Sequence, residues 1–151
     1  MDTIHSAQAF LDRQPNVAVW YSEYTGREEA ILYANSVFSQ TFGIPVNQIL
    51  ELRRYELVNP PDTPEHVIEQ YREEDRAAMR DGCFFARSAV DNDQYIEVVK
   101  LRFDTGMLGL FRIFSTHEFA PSDALIEFDS EILAIVTHLR PDIPLNSSSP
   151  G

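Results

Sequence analysis

Glu73-Glu74-Asp75, Lys100 and Arg112 are the side chains of this sequence whose types could do chemistry. Neighbouring carboxylates can divide the roles of acid and base when their surroundings push their proton affinities apart. Here they alternate with Arg72, Arg76 and Arg80, spaced by four, which is the pattern of a solvated helix face. The histidines His5, His66, His117 and His138 lack a metal spacing such as H-E-x-x-H, and a lone Cys83 makes neither an internal disulfide nor a thiolate cluster. There is no Gly-rich phosphate loop and no G-x-S-x-G elbow. Neither a metal site nor an enzymatic activity is expected.

Arg112 stands in GLFRIF between Phe111 and Ile113, so its guanidinium must reach water or meet an anion. An edge carboxylate such as Glu97 would be a structural partner, the carboxylate of a bound ligand a functional one. Lys100 faces the same choice. Because Lys100 and Arg102 share a strand parity, together they read as a solvated stripe.

The elements that must position these residues follow from periodicity. At 151 residues, 44% of them hydrophobic, the chain suits one domain with a substantial core. A formal charge of -12 disfavours nucleic acid and anionic membrane surfaces as partners. No apolar run reaches the roughly 18 residues of a membrane span, and no secretory leader is evident, so a cytoplasmic location is expected. Residues 1–15 form a flanking amphipathic helix with Ile4, Ala7, Phe10 and Leu11 on one side. VAVWYSEY and EAILYAN make a hairpin around Thr25-Gly26-Arg27. Prolines 45, 60, 61 and 64 break the next stretch into short helices, and a regular helix runs from about 64 to 81 until Gly82. Three strands follow, CFFARSAV, QYIEVVKLRF and LGLFRIFSTHEF, split at Asp91-Asn92-Asp93 and Asp104-Thr105-Gly106. Strands gathered at both ends of a helical middle predict an α+β antiparallel sheet. Apolar residues at both strand parities require both faces to be covered, the second by the terminal helices.

ILYANSVFSQTFG, residues 31–43, changes from strand rhythm to helical rhythm at Asn35. Asn35 is the expected helix cap and Gly43 the left-handed stop. The Ile31-x-Tyr33-x-Asn35-x-x-Phe38-x-x-x-Phe42-Gly43 pattern, the order of elements and the helix EEDRAAMRDG before Cys83 resemble a PAS domain over roughly residues 16–119. The resemblance implies a five-stranded antiparallel sheet with short helices on one face, enclosing a sensory pocket. Ser115-Thr116-His117-Glu118 replaces the Asp-x-Thr corner with which many PAS domains end their last strand.

The expected pocket walls are Tyr33, Phe38, Phe42, Tyr55, Tyr71, Phe85, Val98, Lys100 and Arg112, the large or polar-tipped residues of helices and sheet. The pocket would hold an unknown small organic ligand or nothing. Covalent flavin chemistry is not expected, because Cys83 opens a strand instead of lying in a helical Asn-Cys-Arg motif. Haem is not expected either, because His66, in the first turn of its helix, belongs with solvent. A ligand-free interaction module is the alternative, favoured if Phe38, Tyr55 and Phe85 fill the space themselves.

Residues 120–140 form a C-terminal helix capped at Ser122, with Leu125, Phe128, Ile132, Ile135 and Leu139 at heptad-like spacing. That stripe either folds onto the chain's own sheet or pairs with a second copy, and a homodimer signalling through this helix is the expectation. Residues 141–151 read as a disordered tail. The resemblance further implies a bacterial signalling protein whose output domain, a histidine kinase, a GGDEF cyclase or a DNA-binding domain, lies outside this chain.

Overall fold

Every residue of strand β1, Ala18–Glu23, is buried except the last, so this strand is covered on both faces. The structure is a computed structural model and describes residues 3–24, 31–50, 64–89, 94–115 and 130–143. β1 pairs antiparallel with β2, Ile31–Ala34, and with β5, Gly106–Ser115; β4, Gln94–Phe103, joins β5 to the edge strand β3, Cys83–Ala89. The sheet order is β2-β1-β5-β4-β3. Since β2 and β3 are opposite edges, the chain between them must cross the sheet, and that crossing carries the helical middle.

The middle comprises α2, Ser36–Phe42, α3, Val46–Ile49, and α4, Glu65–Asp81. With Trp20, Phe38, Ile49, Ala78, Met107 and Phe111 it builds an inner core. The flanking helices α1, Ile4–Asp12, and α5, Ser130–Leu139, cover the outer face, where Leu11, Ile132, Ile135 and Val136 pack on Val19, Leu101, Leu108 and Leu110. The α+β expectation and the two-sided covering are both met. Burial of these aliphatic side chains stabilises the fold by about 1.5 to 3 kcal/mol each.

One irregularity decides which residues face which core. Tyr21 opposes Tyr33 but Ser22 opposes Ile31, leaving Leu32 as an extra residue in β2, half exposed at the bulge. A one-residue insertion inverts strand parity. Ile31 therefore joins the inner core and Tyr33 the outer one.

The caps are specific. Asn35 Oδ1 accepts from Phe38 N–H at 3.0 Å, and Gly43, at φ 68°, closes α2. The same oxygen accepts from Val19 N–H at 3.0 Å, while Nδ2 donates to Val17 O at 3.0 Å and Leu11 O at 3.3 Å. Asn35 thus does more than cap a helix: one buried carboxamide ties α1, the α1–β1 connector, β1 and α2 together. At the other end of α1, Asp104 of the β4–β5 turn accepts from Ile4 N–H at 3.1 Å.

The C-terminal stripe packs within the chain. Ile132, Ile135 and Leu139 are buried in the outer core, the intrachain packing that is one of the two readings of this stripe; Leu125, Phe128 and Ser122 lie outside the described residues. Their reason for folding inward is the apolar outer face of the sheet, which α1 alone does not cover. Phe10 stacks on His138 at 3.9 Å and joins the two flanking helices. Beyond α5, Arg140 pairs with Asp142 at 2.7 Å, holding that carboxyl down at about 2, and Ile143 packs against the outer core.

Candidate functional site

Among the described residues of the sheet's helical layer, Lys100 and Asp75 are the buried charged side chains, each 4% exposed. Lys100 points inward because it shares the parity of Val98, which packs on the inner core, while Val99 and Leu101 face outward. Asp75 points inward because it lies on the stripe of α4 that includes Tyr71 and Ala78, at i, i+4 and i+7. Lys100 Nζ donates to Asp75 Oδ1 at 2.9 Å and to Glu74 Oε1 at 3.0 Å, and lies 5.8 Å from the centre of the Tyr71 ring. This overturns two expectations. Lys100 is no part of a solvated stripe, although Arg102 is exposed and donates to Met79 O at the end of α4. Glu73-Glu74-Asp75 is not uniformly a solvated face either: Glu73 is exposed, Asp75 is not, and Glu74 is 19% exposed.

Next to the charged cluster lies a set of rings. A side chain at Gly109 would collide with Trp20, whose ring lies across that glycine; Gly109 in turn stands opposite Lys100 in the β4–β5 ladder. Trp20, Phe38, Phe42 and Phe111 contact one another with centroids 4.8 to 6.0 Å apart. Trp20 was no sequence candidate; the signal was a glycine at mid-strand in β5, where a close approach is required.

Of the predicted pocket residues, Phe38, Phe42, Tyr71, Val98 and Lys100 belong to the inner helical layer. Tyr55 lies outside the described residues. Tyr33, Phe85 and Arg112 are on the outer face. Tyr33 arrives there through the bulge at Leu32 and donates its phenolic proton to Asp12, at 2.5 Å; burial, then this carboxylate, pushes its pKa far above the usual tyrosine range. Phe85 packs against the outer core. Arg112 donates to Glu131 of α5 at 2.9 Å, and Glu97, the expected partner, stands opposite Arg112 in the β4–β5 ladder and accepts from Arg87 at 2.8 Å. Asn16 completes the outer group by donating to Glu131 at 2.9 Å. These residues link β3, β4, β5 and the first turn of α5.

His66 is exposed on the first turn of α4. Among the described residues no group of three or more His, Cys, Asp or Glu is placed to hold a metal, and no helix is long and apolar enough to cross a membrane.

The PAS domain of a protein from Colwellia psychrerythraea superposes with a TM-score of 0.53 at 17% identity, over 74% of this chain and 98% of its own. An RNA-binding light-oxygen-voltage receptor gives 0.48 at 12% identity, over 89% of this chain and 38% of its own. A fungal LOV domain photoreceptor gives 0.42 at 16% identity, over 74% and 92%. No family model matches the sequence, and no curated protein matches it. The likeness is one of fold, and it agrees with the strand order, the helical crossing and the Asn35 junction: this chain is a PAS-fold domain.

Proposed function

We propose that this domain is a sensory module that takes a small organic ligand between α4 and the inner face of the sheet and acts through its flanking helices. The observation that carries this reading is the buried Lys100–Asp75 pair. Removing two charges from water costs several kcal/mol per ion, and a well-packed apolar pair is often as stable or better. Charges retained in such a place, beside aromatic and aliphatic side chains, have the composition of a ligand site: mostly apolar walls with a few fixed polar groups.

Two polar links support a route outward. Asn35 joins the first turn of α2 to the last turn of α1, and Arg112 joins β5 to the first turn of α5. The module itself is non-enzymatic. Membership in a bacterial signalling protein with its output elsewhere extends the resemblance, as does assembly of two copies. Such an assembly would use surfaces other than Ile132, Ile135 and Leu139, which are committed to the chain's own sheet.

A ligand-free interaction module is the second reading, favoured by the ring cluster around Phe38, which occupies the α2 end of the interior. A thermal-unfolding screen of the chain against a diverse small-molecule library separates the two. Ligand sensing predicts hits that raise the unfolding temperature and are lost in Lys100→Met. A library that shifts nothing supports the second reading, and hits indifferent to Lys100→Met would contradict a ligand site at the Lys100–Asp75 pair.

A further inference from the structure

We infer that Arg102 and Arg140 form a surface clamp for a small phosphate ester where the ends of α4 and α5 meet, apart from the interior Lys100–Asp75 pair. The two guanidiniums arrive from different elements and converge on one glycine. Gly82 ends α4 at φ 96°, and a Cβ there would have Arg140 Nη2 at 3.8 Å and Arg102 Nη2 at 3.9 Å as its neighbours. That backbone angle demands glycine, and the missing side chain leaves room between the two forks. Both forks are anchored. Arg102 Nη1 donates to Met79 O at 2.7 Å, in the last turn of α4. Arg140 Nη1 donates to Arg102 O, while its Nε and Nη2 hold the Asp142 carboxylate at 2.9 and 2.7 Å.

The donor count shows what is left to a ligand. A guanidinium carries five N–H groups in a rigid plane. Among the described residues these bonds take one from Arg102 and three from Arg140, leaving four and two for another acceptor. The backbone carbonyl that anchors each fork lowers the entropy a ligand must remove. Phosphate is the acceptor that fits. Its three terminal oxygens and charge of about -1.5 to -2 let it accept from two guanidiniums at once. A monocarboxylate meets a competitor, because Asp142 already supplies that group to Arg140 from within the chain. Asp142 answers only one of the two positive charges. The chain's charge of -12 sets the source: it opposes approach to an anionic bilayer or polynucleotide more than to a small soluble ester. A bound phosphate would join β4 to the end of α5 and fix the point where the chain leaves the sheet's outer face.

Nitrogen-15 NMR of the whole chain, titrated at constant ionic strength with inorganic phosphate, phenyl phosphate and acetate, tests this. Saturable shifts at the Gly82 and Cys83 amides and at the Arg102 and Arg140 Nε–H groups are expected with both phosphates and not with acetate. Arg102→Gln should weaken phenyl phosphate by about tenfold or more, the worth of its charge-assisted hydrogen bonds, with thermal unfolding confirming the fold. Asp142→Asn, at an exposed position, should tighten it by about two- to fivefold and carries the test if Arg102→Gln does not fold. Acetate matching phosphate, binding indifferent to Arg102→Gln, or binding not tightened by Asp142→Asn would overturn the clamp. So would the absence of these shifts at tens of millimolar phosphate. Co-sedimentation with vesicles containing phosphatidic acid, lost in Arg102→Gln, would overturn the soluble source, and none is expected. The interior ligand site is tested separately, by Lys100→Met.

Discussion

Lys100 Nζ on β4 lies 2.9 Å from Asp75 Oδ1 on α4, and each side chain is 5% exposed. The pair lies between α4 and an inner core of aromatic and aliphatic side chains, so its members are strongly dependent on each other. Lys100→Met leaves a buried carboxylate without its cation and is expected to cost about 3 to 5 kcal/mol. Asp75→Asn should cost less, because its amide still offers an oxygen to Lys100 while Glu74 retains the charge. Combined, the two changes should destabilise by at least about 1 kcal/mol less than their sum, as contacting partners do. Additive losses in urea unfolding would show that the pair is not coupled.

Asn35 holds four backbone groups, and their loss should be felt together. Each buried group left without a partner costs about 1 to 3 kcal/mol, so Asn35→Ala is expected to lose more than about 3 kcal/mol, well beyond an ordinary cap. Asn35→Asp keeps the acceptor for Phe38 and Val19 but sets a buried carboxylate against the carbonyls of Leu11 and Val17. It should therefore be no milder than Ala at neutral pH, whereas a cap alone would make Asp the milder change. Urea unfolding of the two variants decides between them.

Two phenols resist ionisation. Burial raises the pKa of Tyr21 and of Tyr33 above the ordinary value near 10, and Asp12 pushes Tyr33 further. Because the folded values lie above the unfolded ones, the stability they contribute is complete below pH 10 and is lost as pH rises beyond it. In an absorbance titration at the tyrosinate band, these two of the six tyrosines should ionise only with alkaline unfolding. Six tyrosines titrating together near pH 10 in folded protein would contradict this.

Ile132 and Ile135 are core residues of the single chain. Ile132→Glu with Ile135→Glu is expected to abolish cooperative unfolding, since each change places a charge in the outer core. A folded variant that merely changes its sedimentation from dimer to monomer would restore the intermolecular seam.

The order of elements was legible because the punctuation is chemical: Asn35, Gly43 and Gly82 end or start helices by means visible in one residue each. The covering of both faces was legible from strands with apolar residues at both parities. The site was legible only in part. Tyr33 was assigned to the wrong face because a bulge at Leu32 leaves no mark in the strand's hydrophobic rhythm. Charge weighed above position makes Asp75 read as surface, and leaves Lys100 with two readings, a solvated stripe with Arg102 and a pocket wall. Asp75 sits on the stripe through Tyr71 and Ala78, and Lys100 alternates inward with Val98, so the phase alone pointed to burial. Arg112 and Glu131 are 19 residues apart and meet through the return of α5, a tertiary relationship that no local pattern encodes.

The most direct test of interior ligand sensing is amide NMR of the isotopically labelled chain titrated with the strongest stabilising compound from the library screen. The account predicts saturable shifts at Asp75, Ala78, Val98, Lys100 and Gly109, on the two elements that enclose the site and the strand beside it, followed by smaller shifts in α1 and α5. Shifts confined to the exposed face of α4 or to the sheet edges, with those five amides unmoved, would contradict it.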